Sequence, residues 1–270
     1  MSLLLCRQEN VRHPFYVEAM GIHLYSSQEL SYVIYNYPLL VLDGFVGEPL
    51  FAFLRDEVNQ GFLALKLERW LKSRENPDEA LAMILQECDY YSSAEISRFR
   101  QQVAAIRKMH PAEYKKAKAD VLFSMRQYGR ASRMYRELLD YPADAVVNDG
   151  FVGRIWNNLA VCNVRMMQFD RAMEAYERAY LRTGQKQILE AMYELTLMDE
   201  SLELGDRQKA LVTDEMRQEC EQRMVQARQK AAGSSKVQQV EEVFSRDSLK
   251  RQAAISGMLY QWKQEYRGMV

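Results

Sequence analysis

One stretch of this chain matches another stretch of itself. Gln127-Tyr128-Gly129-Arg130-Ala131-Ser132-Arg133-Met134-Tyr135 aligns with Gln168-Phe169-Asp170-Arg171-Ala172-Met173-Glu174-Ala175-Tyr176 at an offset of 41 residues. The shared pattern is Gln, an aromatic, any residue, Arg, Ala, three residues, Tyr. Ala and Tyr four apart share one face of a helix. Repetition with a period of about 20–50 residues points to stacked units, because one helical hairpin cannot bury its apolar face alone. Twelve Gly and six Pro in 270 residues are few for a sheet-rich fold, which needs more turn punctuation. The constraint is therefore an all-α chain built from repeated helical hairpins, with antiparallel pairs expected at 113–141 and 151–183.

Around the second copy the pattern lengthens to Trp156, Leu159 and Ala160, then Ala172, Tyr176 and Ala179, with Gly184 near the end. This resembles the tetratricopeptide repeat, which runs Trp, two residues, Leu-Gly, two residues, Tyr, then Ala, three residues, Phe, and finally Pro. Asn163 stands where the family has Tyr. The first copy keeps Ala131, Tyr135 and Leu138 but has Lys115 and Lys118 in place of the Trp and Leu. Gly61–Lys72 with Pro77–Cys88 suggests an earlier hairpin, and Gln187–Met198 a following half-repeat. The resemblance covers about residues 61–200. It implies a right-handed solenoid of antiparallel hairpins and a protein-binding role. It also makes Trp156 and Leu159 core knobs, and Ala160 and Ala172 sites of close helix approach. A buried Trp156 would cost about 3–5 kcal/mol on truncation to Ala.

The flanking segments read differently, giving divisions at 1–60, 61–200 and 201–270. Residues 1–60 form an aromatic-rich, less regular, helical region. Ser26 and Glu29 are spaced as a capping box, Pro38 ends the helix that follows, and Leu39–Leu42 suits either a strand or a buried helix. Asp43-Gly44-Phe45-Val46-Gly47 reads as a turn. Asn76-Pro77-Asp78-Glu79 and Ser92-Ser93-Ala94-Glu95 are helix starts, and Pro111 opens another. Tyr32–Tyr37 reads as core or as an interaction patch. Beyond residue 201, a narrow stripe of Met216, Cys220, Met224 and Ala227 lies on a charged helix. Gly233-Ser234-Ser235 interrupts it, and Ile255, Leu259, Trp262 and Tyr266 recur at spacings of 4, 3 and 4. This is the pattern of a C-terminal helical hairpin that caps the repeats or pairs with another copy.

Chemistry was sought in the remaining residues. Lys plus Arg total 36 and Asp plus Glu 37, so the chain offers no bulk basic excess of the kind nucleic acid binding uses. Cys6, Cys88, Cys162 and Cys220 are too far apart for a zinc or redox motif and suit a reducing cytoplasm. Met1-Ser2-Leu3-Leu4-Leu5-Cys6 lacks the basic start and apolar length of a lipoprotein signal. No apolar run reaches the roughly 18 residues a membrane helix needs. His13, His23 and His110 have no partner at metal-ligand spacing, and no glycine-rich phosphate loop or nucleophile elbow occurs. Adjacent acids such as Asp56-Glu57 and Asp78-Glu79 point in different directions on a helix and read as solvated surface.

The expectation is a non-enzymatic, cytoplasmic scaffold or adaptor, without cofactor or metal, that binds a protein or peptide in a helical-repeat groove. Asn157, Asn158 and Arg165, polar positions on the first helix of the second repeat, are the candidate partner-binding residues. Nucleic acid binding and membrane insertion are not expected, and homo-oligomerisation through the C-terminal hairpin is an open alternative. The competing reading is a helical-repeat signalling sensor or regulator acting on transcription or a secretion machine.

Overall fold

The structure is a computed structural model that describes residues 9–73, 75–245 and 247–269. The apparent lipoprotein-like start and Cys6 lie outside the described residues. The chain divides into two compact units, Met1–Val121 and Leu122–Val270, a division that falls within the 61–200 segment read from sequence. Almost all regular structure among the described residues is helical.

The first unit opens with a β-hairpin, β1 (Phe15–Val17) and β2 (Ile22–Leu24), antiparallel with Tyr16 opposite His23. This adds a short strand pair to the aromatic-rich, less regular region read from sequence as helical. Three-residue strands are too short for a period-2 pattern to show in sequence. Gly21, at φ +68°, makes the turn that returns the chain. Seven helices follow: α1 (Ser27–Asn36), α2 (Pro38–Val41), α3 (Glu48–Ala52), α4 (Gly61–Lys72), α5 (Pro77–Glu87), α6 (Ser93–Ile106) and α7 (Pro111–Ser124). A π-helical turn, Phe53–Glu57, separates α3 from α4.

Local chemistry sets these starts. Ser26 caps α1 by accepting from the Glu29 amide at 3.1 Å, while Glu29 reaches back to the Tyr25 amide at 2.6 Å. Ser92 and Glu95 form a complete capping box on α6. Asn76 caps α5 with Pro77 in the first turn. Leu39–Val41 is helical, not strand.

Asp78 and Glu79, read from sequence as solvated surface, instead bridge helices. Glu79 pairs with Arg100 of α6. Arg107 donates to both Asp78 oxygens, to Asp43 Oδ1 at 3.0 Å and to the Leu42 carbonyl at 3.0 Å. Tyr114 Oη donates to Asp43 Oδ2 at 2.6 Å, and Lys118 lies 3.4 Å from the same oxygen. The Asp43 carboxylate thus ties this turn to α7 and to Arg107 at the end of α6, and Arg107 carries the link on to Asp78 of α5. Of the tyrosines in Tyr32–Tyr37, Tyr32 is exposed, whereas Tyr35 stacks on Tyr91 with ring centroids 4.0 Å apart. Apolar burial on α1 falls to Leu30, Val33 and Ile34.

The second unit holds α8 (Tyr128–Leu139), α9 (Asp149–Arg165), α10 (Phe169–Thr183), α11 (Lys186–Met198), α12 (Asp206–Leu211), α13 (Asp214–Ala232), α14 (Ser235–Ser245) and α15 (Ser248–Met269). α9 and α10 form the expected hairpin over 151–183 and pack along their lengths. Ala160, Ala172 and Ala179 are fully buried, so the two backbones come close. At Gly153 an added Cβ would collide with the Thr183 methyl. Asn148 caps α9 by accepting from the Phe151 amide, and Gly184, at φ +60°, ends α10.

The self-match has a backbone counterpart. The Gln127 amide donates to the Leu122 carbonyl at 2.9 Å, and the Gln168 amide donates to the Asn163 carbonyl at 2.9 Å. The residue before each Gln is left-handed: Arg126 at φ +62° and Met167 at φ +58°. The same turn therefore recurs 41 residues on.

α13 is joined to α11 by ion pairs and by a hydrogen bond to backbone. Arg223 donates to Glu194 at 2.8 Å and Glu190 at 3.0 Å, and Arg228 donates to the Leu197 carbonyl. Met216 and Cys220 of the expected stripe are buried. On α15 the other expected stripe stays open, with Leu259, Trp262 and Tyr266 exposed. Cys88, Cys162 and Cys220 are buried thiols outside any disulfide.

Candidate functional site

The resemblance made Trp156 a core knob, and the structure corrects this. Leu159 and Ala160 are buried as expected, but Trp156 is only half-buried. Its ring faces a cleft of about 300 Å³ between α8, α9 and α10. Indole is too large to bury fully in a seam whose alanines bring the two helices close.

α9 contributes Trp156, Leu159 and Asn163 to this cleft, spaced four apart or fewer on one face. Arg171, Glu174, Ala175 and Arg178 come from α10, and Arg136 from α8. The Arg178 guanidinium lies over the Trp156 ring, 4.6 Å from its centroid, and donates to Glu174 at 2.5 Å. Arg171 donates to the Gln168 side chain at 3.3 Å. Arg136 is exposed and has no carboxylate partner among the described residues. Three guanidiniums against one carboxylate give the cleft a net positive charge.

Asn163 forms the most unusual part of the cleft. It is 3% exposed, its Nδ2 donates to the Arg171 carbonyl at 3.2 Å, and its Oδ1 is buried without a hydrogen-bond partner. The Nδ2 bond fixes which way the amide points, since a carbonyl oxygen accepts only from the NH2 side. An unsatisfied buried acceptor costs on the order of 1–3 kcal/mol.

The residues singled out from sequence are not brought together. Asn157 and Asn158 are half-buried on α9 and do not line the Trp156 cleft. Arg165, at the end of α9, is exposed and lines a different recess with Phe123, Arg126, Tyr128 and Met269. Arg136, Asn163 and Arg178 were not foreseen as site residues. The one legible signal was Asn163 itself, a small polar residue where the repeat pattern has Tyr. Its smaller side chain leaves room beneath Trp156.

Chemically the cleft can bind an anion and offer an acceptor. Its one carboxylate, Glu174, is held by Arg178. No group of His, Cys, Asp and Glu among the described residues could hold a metal ion, and no described helix is long and apolar enough to cross a membrane. Compared with family models, curated proteins and solved structures, the chain finds no match.

Proposed function

We propose that this chain is a non-enzymatic scaffold or adaptor that holds a peptide or protein surface against the helical hairpins of its second unit, and that it works in the cytoplasm. We read those hairpins as tetratricopeptide-like repeats of a right-handed solenoid. The recurrence of one turn geometry 41 residues apart supports that reading. The observation that carries the functional reading is the Trp156 cleft. It is an open, net-positive recess with an aromatic ring on one wall, set on two closely packed helices. Partly exposed Trp and Arg on a rigid frame are the residues that most often dominate protein interfaces. Asn157, Asn158 and Arg165 extend the polar surface of α9 beyond the cleft.

The test begins with the immobilised full chain, exposed to native lysate and to a displayed random-peptide library. The bound segment is then measured by titration calorimetry. Asn158→Ala with Arg165→Ala is expected to weaken binding at least about fivefold, with the helical circular dichroism signal retained at the assay temperature. Failure to recover either a protein or a peptide consensus would overturn the proposal.

A further inference from the structure

We infer that the Trp156 cleft selects an acidic peptide, taking one carboxylate on Arg136 and Arg171 and one backbone N–H on the Asn163 Oδ1. The inference rests on the peptide-binding reading above and names its ligand class.

The argument starts from what the cleft lacks. Asn163 Oδ1 is a buried acceptor with no donor, so an occupant that satisfies it must bring an N–H or O–H. The arginines call for negative charge, and one of the three is already engaged. Arg178 sits on the Trp156 ring and is held by Glu174, leaving Arg136 and Arg171 to meet a ligand. Guanidinium forks match carboxylate geometry with two parallel hydrogen bonds.

An anion and a donor a few ångströms apart on one molecule are what an Asp or Glu residue in a peptide supplies. Its side chain is the anion and its own amide the donor. A sulfate ion brings the charge without the donor, and a neutral peptide brings the donor without the charge. The Trp156 face adds a flat apolar wall for the neighbouring side chain. Oδ1 is screened from solvent in the free chain, so the ligand must displace a neighbouring side chain to reach it. Arg136, Arg171 and Arg178 are all exposed and able to move.

The experiment uses the full chain and a fluorescein-labelled, acetylated and amidated peptide, Gly-Glu-Leu-Glu-Gly, followed by fluorescence anisotropy. Saturable binding is expected, weakening at least about tenfold in Arg136→Ala with Arg171→Ala, and falling as salt rises. Replacing both glutamates of the peptide by glutamine should abolish binding. N-methylation of the peptide amides should weaken it several-fold.

Asn163→Leu, which keeps the branching of the amide in a larger, apolar side chain, separates recognition from folding. It should lose affinity while its melting temperature holds or rises, because the unpaired acceptor is gone. Should the glutamine peptide bind as well as the glutamate peptide, the inference fails. It also fails if inorganic sulfate competes as effectively as the peptide, which would mark a simple anion site. Binding unaffected by Asn163→Leu likewise overturns it. If the acidic peptide does not bind while a captured partner still does, and that binding responds to Asn158→Ala with Arg165→Ala, then this inference falls and the scaffold reading stands. Loss of both brings down both.

Discussion

The contact of Gly153 with Thr183 makes a quantitative claim about how closely α9 and α10 approach. Gly153 lies in the first half of α9, and a Cβ built there meets the Thr183 Cγ2, with the Arg182 Cβ at 3.5 Å and the Ala179 carbonyl at 3.7 Å. The latter two are ordinary contacts, so the methyl alone is the obstacle. Thr183 cannot simply rotate away. Its Oγ1 donates to the Ala179 carbonyl at 2.9 Å and accepts from the Gln185 amide, and turning the side chain breaks both bonds.

Gly153→Ala therefore combines two opposed effects. Relief of glycine in a helix interior stabilises by about 1 kcal/mol, and overpacking costs about 1–3 kcal/mol. The net is a loss of roughly 0–2 kcal/mol. In a Thr183→Ser background the hydroxyl and its bonds remain but the methyl is gone. There the same Gly153→Ala substitution should stabilise by about 1 kcal/mol. The double-mutant coupling is thus about 1–3 kcal/mol. Urea-dependent hydrogen exchange of α9 amides reads the stability of this hairpin directly, without requiring the whole chain to unfold in one step. An equal effect of Gly153→Ala in both backgrounds, within about 0.5 kcal/mol, would refute the close approach and with it the reason for glycine at this position.

Two further outcomes follow from the ion-pair hub and the half-buried indole. Trp156→Ala should cost the same α9 amides about 1–3 kcal/mol, less than the 3–5 kcal/mol of a fully buried aromatic, and a loss above that range would place the ring back in the core. Arg107→Met should destabilise the first unit by about 1–3 kcal/mol at neutral pH, because Asp78, whose side chain is 13% exposed, loses its cation. That cost should depend on pH. Burial raises the Asp43 pKa, but hydrogen bonds from Tyr114 and Arg107 and the charges of Lys118 and Arg107 outweigh it and hold the carboxyl below its ordinary value. A carboxylate depressed on folding contributes stability above its unfolded pKa and loses it as pH falls through the folded value. Thermal melts should therefore show the wild type and Arg107→Met converging below about pH 4, and a constant gap down to pH 2 would mean that the contribution of Arg107 does not come from the ionised carboxylates.

Features set by near-neighbour chemistry were legible in the sequence. Ser26, Asn76, Ser92 and Pro111 each mark a helix start that depends on a residue and the three after it, and each start is found. The Ala–Tyr signature located the 151–183 hairpin because small residues at 160, 172 and 179 can serve only a close helix pair. Features that depend on distant residues were not legible. Asp43 looked like one member of a turn, and nothing nearby in sequence announces Arg107 or Lys118, which are 64 and 75 positions away. Asp78 and Glu79 looked like surface because adjacency on a helix says which way side chains diverge but not what they meet.

The Trp156 cleft shows the same limit and one way past it. A repeat pattern assigns Trp156 and position 163 jointly, as neighbours that fill one seam. In the structure Asn163 and the half-buried indole of Trp156 instead line one open cleft. Asn163 also introduces an amide whose two ends cannot both be satisfied by the α10 backbone. Nδ2 finds the Arg171 carbonyl, and Oδ1 is buried without a hydrogen-bond partner. A core position that gives up both volume and a hydrogen bond is destabilising on each count. Such a residue is easier to account for by what the cleft binds than by what the fold gains. If the cleft binds as proposed, Asn163 is the residue at which the sequence departs from the pattern it resembles and at which the ligand finds its acceptor.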